Sequence, residues 1–233
     1  MRSARSSERE QMDNFELSGD DLHKTLSGLS TINKYLGNTS ATFNAVKKEV
    51  CKSNKPLKII DLGCGGGDNL RAIAKWGQAN NQVIELVGID GNSHTLAYTQ
   101  QQYPKLRITY IQADILATEF ILPKCDILIS SHFMYHFTDT EIVSFLKKSK
   151  NRIAIQIIFS ELQRNDLAYA LFKIGTVFLP FSDIVKQDGL VAIRSSFSKM
   201  ELRAIMQRAG FTSYKIKWKW AFRFLISISI KNK

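Results

Sequence analysis

Cysteine is scarce in this chain. Cys51, Cys64 and Cys125 lie far apart, and no C-x-x-C occurs. That argues against a disulfide framework or a structural zinc site and fits a reducing cytoplasm. Histidine is equally sparse: His23, His94, His132 and His136 are the full set. They do not cluster with carboxylates at metal-ligand spacing, so no metal is expected. Apolar runs of about 18 residues are missing, which excludes a membrane-spanning helix. Met1 to Glu10 is polar and charged with no apolar h-region, so a secretory signal is not expected. Internal repeats and low-complexity linkers are also absent.

What remains is an ordinary globular composition. The 233 residues are 44% hydrophobic and 23% charged, enough for one sizeable core without a second full domain. Acids run short at one end. Residues 199–233 hold nine Lys or Arg and one acid, Glu201, so this end carries most of the net charge of +11. Two readings stand for that end: a patch for an anionic partner, nucleic acid or an acidic membrane face, or a plain solvated surface.

The most informative stretch is Lys58 to Asp68. An apolar run, Leu57, Ile59 and Ile60, ends in Asp61. Gly63, Gly65 and Gly67 follow, and a helical pattern opens near Asn69. This is a buried strand, a tight turn and a helix start. Such turns place a nucleotide-type ligand at the carboxyl edge of a parallel sheet. The third glycine of G-x-G-x-x-G is missing, because Asp68 stands there. Two flanking carboxylates, Asp61 and Asp68, would repel a pyrophosphate and suit a cationic ligand. S-adenosylmethionine (SAM), with a sulfonium and an ammonium and no phosphate, fits that requirement.

Around this turn the pattern alternates. Apolar residues between positions 8 and 51 recur at three- and four-residue steps, with breaks at Ser18-Gly19-Asp20 and Gly37-Asn38, predicting two or three helices. His23 and Tyr35 would line a pocket or simply pack. Strands are predicted at 57–61, 83–90, 107–112, 125–131 and 152–159. Helices are predicted at 69–78, 93–102, from Thr138 to about Lys148, at 165–179 and at 198–210. A polar loop should run through Asp188-Gly189. Two antiparallel strands, about 212–220 and 222–231, would close the sheet; Lys215, Lys217 and Lys219 alternate there with Ile216, Trp218 and Trp220. Asp90 follows Gly67 by 23 residues, the spacing at which an acid accepts from ribose hydroxyls. Its alternative is a cap for the helix at Ser93.

Asp61-Leu-Gly-Cys-Gly-Gly-Gly67 resembles the first motif of class I SAM-dependent methyltransferases, and the motif order extends over about residues 57–230. The resemblance implies a Rossmann-like α/β fold: a seven-stranded, mostly parallel sheet with a C-terminal antiparallel hairpin and a helical N-terminal cap. It divides the chain into a cap, 1–55, over the acceptor pocket and a methyltransferase domain, 56–233, with a lid insert at about 161–190. SAM would be the cofactor and S-adenosylhomocysteine (SAH) the product. Cofactor contacts would come from Asp61, Gly63, Cys64, Gly65, Gly67, Asp90, Gly91, Asp114, Ile115, Ser130 and Ser131. Within that set, Asp114 would accept from the adenine amino group and Ile115 would stack on the ring, with a turn role as the alternative for Asp114. Met12-Asp13, Ile32-Asn33…Leu36-Gly37, Ser131 to Phe137, Glu161 to Tyr169, Asp188-Gly189, Arg194 to Phe197 and Trp218-x-Trp220-x-Phe222-Arg223 resemble a narrower bacterial group. That group is associated with type III polyketide synthases and phenolic lipids. The chain departs from its pattern at His132 and Glu161.

Methyl transfer to a phenol needs the acceptor aligned, water excluded and a base for a hydroxyl of pKa about 10. His132 and His136 follow the fourth strand, where the acceptor edge should lie, so either is the candidate base, with Tyr135 as a positioning group. His136 could instead be a buried structural hydrogen-bonder. Arg164 and Arg194 would hold an anionic acceptor or serve structure. The expected activity is O-methylation of a phenol, resorcinol or polyketide. Ring C-methylation of the same acceptors is the alternative, and nucleic-acid methylation a weaker one, since no Asn-Pro-Pro-Tyr-like motif follows strand four. The expected location is cytoplasmic, with the basic hairpin offering peripheral contact with an anionic inner membrane face.

Overall fold

A computed structural model describes residues 4–178 and 181–230. An extended segment with a short 3₁₀ turn at Gln11–Asp13 leads into helices α1 (Gly19–Tyr35) and α2 (Asn38–Val50). Then come β1 (Leu57–Leu62), α3 (Asp68–Ala79), β2 (Ile84–Asp90), α4 (Ser93–Gln102), β3 (Ile108–Gln112) and β4 (Cys125–Ser131). A 3₁₀ turn at Met134–His136 precedes α5 (Asp139–Ser149) and β5 (Ile153–Leu162). The chain closes with α6 (Asp166–Phe178), α7 (Asp183–Ser195), α8 (Lys199–Arg208), β6 (Tyr214–Lys219) and β7 (Arg223–Ser229).

The strands form one sheet in the order β3-β2-β1-β4-β5-β7-β6. β1 to β5 are parallel, and β7 runs antiparallel to both β5 and β6. This is the expected Rossmann-like fold with its reversed hairpin. Each face of the sheet carries its own core. One packs Ile60, Leu62 and Leu128 against Ile142 and Leu146 of α5 and Leu202 and Ile205 of α8. The other packs Ile59, Ile127 and Ile158 against Val46 of α2, Leu70 and Ile73 of α3 and Leu96 of α4. Each such side chain contributes about 1.5–3 kcal/mol on burial. The near-continuous apolar runs of β1 and β4 follow from burial on both faces. The chain moves out from β1 to β3 and then returns to β4. The crevice between β1 and β4 is therefore the switch point where doubly wound sheets bind ligands.

Two local expectations fail. The loop predicted through Asp188-Gly189 is instead the middle of α7. Ser182 caps that helix by accepting from the Val185 N–H, and Val185, Val191, Ala192 and Ile193 are buried. Asp188 is tolerated there because its carboxylate accepts from the N–H groups of Gln11 and Met12 at 2.9 and 3.1 Å. Gly189 is needed because the Phe172 ring would lie 2.3 Å from a Cβ. The helical periodicity before residue 18 also misleads. That segment is mostly extended, because its polar groups bind distant partners: Ser6 N–H donates to the Arg194 carbonyl at 3.1 Å, and Asp188 holds the 3₁₀ turn. The expected ends of the helix at 179 and the last strand at 231 lie outside the described residues.

Candidate active site

A single cavity of about 2170 Å³ opens over the carboxyl ends of β1, β2 and β4. Ligand pockets run to roughly 300–1,000 Å³, so this one has room for a cofactor and an acceptor together. Its floor is the glycine turn. Gly63 (φ +61°) passes directly beneath Phe133, whose ring would lie 2.3 Å from a Cβ. Gly65 (φ +48°) lines the cavity with open space above it, so even a methyl group there would intrude on a ligand. Gly67 lies outside the lining and leads into α3. Cys64 lines the floor, and burial, then the charges of Asp90 and Asp61, push its thiol well above the ordinary range. It is an inert part of the wall.

Asp90 ends β2 at the cavity wall. Its two oxygens accept from Gly65 N–H at 2.9 Å and Asn92 N–H at 3.0 Å. Burial raises its pKa, and those N–H groups hold it partly down. The capping alternative for Asp90 is not the observed arrangement: Asn92 caps α4, accepting from His94 and Thr95 N–H. Gly91 lies under the Phe15 ring, which would sit 2.6 Å from a Cβ. Asp114 is exposed at the cavity margin and accepts from Leu116 N–H at 2.9 Å, while Ile115 is buried behind it and also lines the cavity.

Ser131 and Ser130 separate. Ser131 lines the cavity, sharing a hydrogen bond with Thr42 and accepting from Asn69. Ser130 is buried outside the lining, where its hydroxyl donates to the Leu62 carbonyl. Asp61 also lies below the lining. Burial pushes its carboxyl up to about 8, against a hydrogen bond from Asn69. Asp68 lines the cavity but is paired with Arg71 at 2.8 Å. The argument from two free carboxylates at the loop therefore needs correcting: one is raised by burial and the other already has a partner.

The acceptor edge begins where β4 ends. Burial, then the nearby Arg223 charge, lowers the His132 pKa well below the ordinary imidazole value. Its Nε2 accepts from Arg223 Nε at 3.1 Å. That lone pair is occupied, which leaves the proton of the neutral ring on Nδ1. His136 differs. Its Nδ1 meets Asp13 Oδ1 at 2.8 Å, and its Nε2 lies 4.0 Å from Glu10 Oε2. Burial alone would lower its pKa, but the Asp13 hydrogen bond and the charges of Glu10, Asp13 and Glu161 outweigh burial and raise it. Tyr135 is buried with its ring 4.4 Å from His136, and its hydroxyl bonds Glu10. Burial drives Glu10 up to about 7, and its Oε1 has no partner. Glu161 lies behind the turn, where Oε1 accepts from Met134 N–H at 3.1 Å.

Glu10 and Asp13 were missed as site residues in the sequence. Their signal was weak: two acids three residues apart in a segment with a helical pattern, with Asp13 noticed only as part of a resemblance. Arg5 was missed too. It ties this segment to the site through the Tyr135 and Phe137 carbonyls at 2.6 and 2.8 Å and through Asp139 at 2.7 Å. Arg164 and Arg194 do not line the cavity; they pair with Glu201 and Glu8. His23 and Tyr35 both line it. His23 packs 4.5 Å from the Tyr98 ring, and Tyr35 is largely exposed. Across the cavity, α6 presents Phe172 and Gly175, with the exposed Leu171 at the rim.

Residues 59–154 match the family described as a methyltransferase domain. The chain is also similar to carboxy-S-adenosyl-L-methionine synthase of Campylobacter jejuni, 22% identical over 204 residues, 79% of this chain and 84% of the relative. Among solved structures it resembles magnesium protoporphyrin IX methyltransferase (ChlM) from Synechocystis PCC 6803 with bound SAM. That match has a TM-score of 0.62 and 14% identity, over 99% of this chain and 100% of the other. Human N-acetylserotonin methyltransferase in complex with SAM matches with a TM-score of 0.64 and 14% identity, over 97% and 64% of the two chains. At such identity the solved structures speak for the fold. They show the Rossmann-like methyltransferase fold, and the domain match within it supports a SAM-dependent methyltransferase. The chain is thus an enzyme that uses SAM as its cofactor. The glycine floor without side chains and the Asp90 carboxylate beside it suit an adenosine-bearing ligand.

Proposed function

We propose that this enzyme methylates the oxygen of a small aromatic acceptor: a phenol, a resorcinol or an aromatic polyketide. The observation that carries the reading is the Asp13–His136 pair. Asp13 holds the Nδ1 proton, which leaves Nε2 as the basic nitrogen in the cavity. A base of raised pKa is matched to a phenol better than free imidazole is. Phe172 of α6, with Val191 and Ile193 of α7, forms an apolar wall suited to an aromatic ring.

Gly63, Gly65, Asp90, Gly91, Ile115 and Ser131 would hold the cofactor, with Asp90 at the ribose and Asp114 at the adenine margin. When bound there, SAM supplies a methyl group whose C–S bond breaks as the acceptor oxygen bonds to carbon, leaving SAH. The chain's own part is to take the hydroxyl proton on His136 Nε2, orient the ring and exclude water. Tyr135 and Glu10 position that imidazole. Because the base must be neutral, kcat should rise with pH through a midpoint above the ordinary histidine value of about 6.5.

A panel of phenols and resorcinols, with the methylated atom identified by NMR, tests the reading. An O-methyl product supports it; a methyl group on a ring carbon replaces it with the C-methylation alternative. His136→Ala should lower kcat by roughly 10²–10⁴-fold with SAH affinity kept. Unchanged turnover would remove His136 as base.

The chain's basic end supports a peripheral contact with an anionic membrane. Trp218 and Trp220 are exposed on the hairpin beside Lys215, Lys217 and Lys219. The α6 outer face, with Leu167, Ile174, Val177 and Phe178, is exposed nearby, and Trp218 Nε1 donates to Gln163 just before that helix at 2.9 Å. Among the described residues no helix is long and apolar enough to cross a membrane. Cosedimentation with anionic but not neutral vesicles is the expected result; none with either removes the contact.

A further inference from the structure

Arg223, the first residue of β7, is 1% exposed and heads the set of largest fully buried side chains. Arginine keeps its charge under all ordinary conditions, and a buried charge without a partner is strongly unfavourable. Four other arginines are paired with acids: Arg5, Arg71, Arg164 and Arg194 each hold a carboxylate at 2.7 or 2.8 Å. Arg223 holds none among the described residues. Its Nε donates to His132 Nε2 at 3.1 Å, and its Nη1 donates to the carbonyls of Leu36 at 2.5 Å and Trp220 at 2.9 Å. Nη2 has no protein partner among the described residues. Burial pulls the pKa down to about 10, and no acid offsets that pull.

Its place in the fold decides what this cation faces. Arg223 pairs with Leu162 at the end of β5, beyond β4 and away from the glycine floor. It lines the same cavity as His136, with Trp220, Ala221 and His132 beside it. The guanidinium edge that His132 and the two carbonyls leave over suits the two oxygens of a carboxylate.

We infer that Arg223, set in place by His132 and two main-chain carbonyls, is the counter-ion for a carboxylate on the acceptor. The preferred substrate class is then a hydroxylated aromatic carboxylic acid. This rests on the aromatic-acceptor reading above and narrows it. Arg223 is a specificity-determining group for one end of the acceptor, and His136 acts at the other.

Calorimetric titration of the full chain, saturated with SAH, tests the assignment with four probes: 4-hydroxybenzoate, 4-hydroxybenzamide, phenol and benzoate. The acid should bind roughly tenfold or more tightly than the amide. R223Q should abolish that preference, R223K should keep part of it, and SAH affinity should match wild type in both. Equal binding of acid and amide by the wild type overturns the proposal and leaves the aromatic-acceptor reading standing. Equal weakening of acid and amide in R223Q makes the residue structural and also overturns it. Binding of benzoate that R223Q removes upholds the anion subsite even where the NMR assay finds no phenol oxygen methylated, a result that ends the phenol reading alone. No binding of any probe overturns both. Should R223Q fail to fold, the acid-to-amide ratio in wild type and R223K decides.

Discussion

The half of the cavity proposed for the cofactor takes its lining from within residues 63–69, 90–95 and 113–116, three strand ends that follow one another in the chain. The acceptor half gathers residues 5–13, 131–137, 171–193 and 220–223. In the first half Asp90 and Asp114 are positioned from within the first strand–turn units, Asp90 by Asn92 and by Gly65 of the preceding turn, and Asp114 by Leu116. In the second, His136 depends on Asp13 and His132 on Arg223. The cofactor half is therefore a local device, and the acceptor half is a meeting of distant segments. Changes in the first should alter SAH binding. Changes in the second should alter acceptor chemistry and leave SAH alone.

The largest expected effect lies where the halves touch. Gly63→Val would force a side chain into the Phe133 ring at a backbone angle that valine resists. SAH affinity should fall by more than about 100-fold, and stability by about 2–4 kcal/mol. Calorimetry and thermal unfolding check this; wild-type SAH binding would show that the turn is not the cofactor floor. Asp90→Ala comes next. Losing a charged acceptor should weaken SAH by roughly 10–100-fold, and acceptor selectivity should hold. Unaltered SAH affinity would remove the ribose assignment and blur the division between the halves.

Asp13→Asn should have the mildest effect and the most diagnostic one. The raised pKa of His136 depends on that carboxylate, so its removal moves the midpoint of the pH–kcat profile down. The weaker base should then turn over roughly tenfold more slowly. SAH affinity should not change. A pH profile with an unmoved midpoint would mean that Asp13 does not tune His136.

Legibility in the sequence follows the same division. The strand, glycine turn and helix at residues 57–79 could be read because periodicity and turn chemistry act over a few residues. The helix start at Thr138 was readable for the same reason, with Glu141 standing at capping-box spacing from it. The middle of α7 was not, because Asp188 and Gly189 look like loop residues until the Gln11–Met12 turn and the Phe172 ring are in place. The segment before residue 18 misled in the opposite sense. Its apolar spacing suggested a helix, but its polar groups go to residues more than 120 positions away, such as Arg5 to Phe137.

The residue order alone determined the doubly wound sheet, its reversed hairpin and the glycine turn after β1, since those features arise from short-range patterns of burial and backbone freedom. Tertiary packing gave the two histidines different partners. His132 and His136 stand four residues apart on one turn, yet a guanidinium takes the lone pair of one and a carboxylate raises the basicity of the other. Electrostatic partners act through space, and only the folded chain brings Asp13 and Arg223 to opposite sides of that turn.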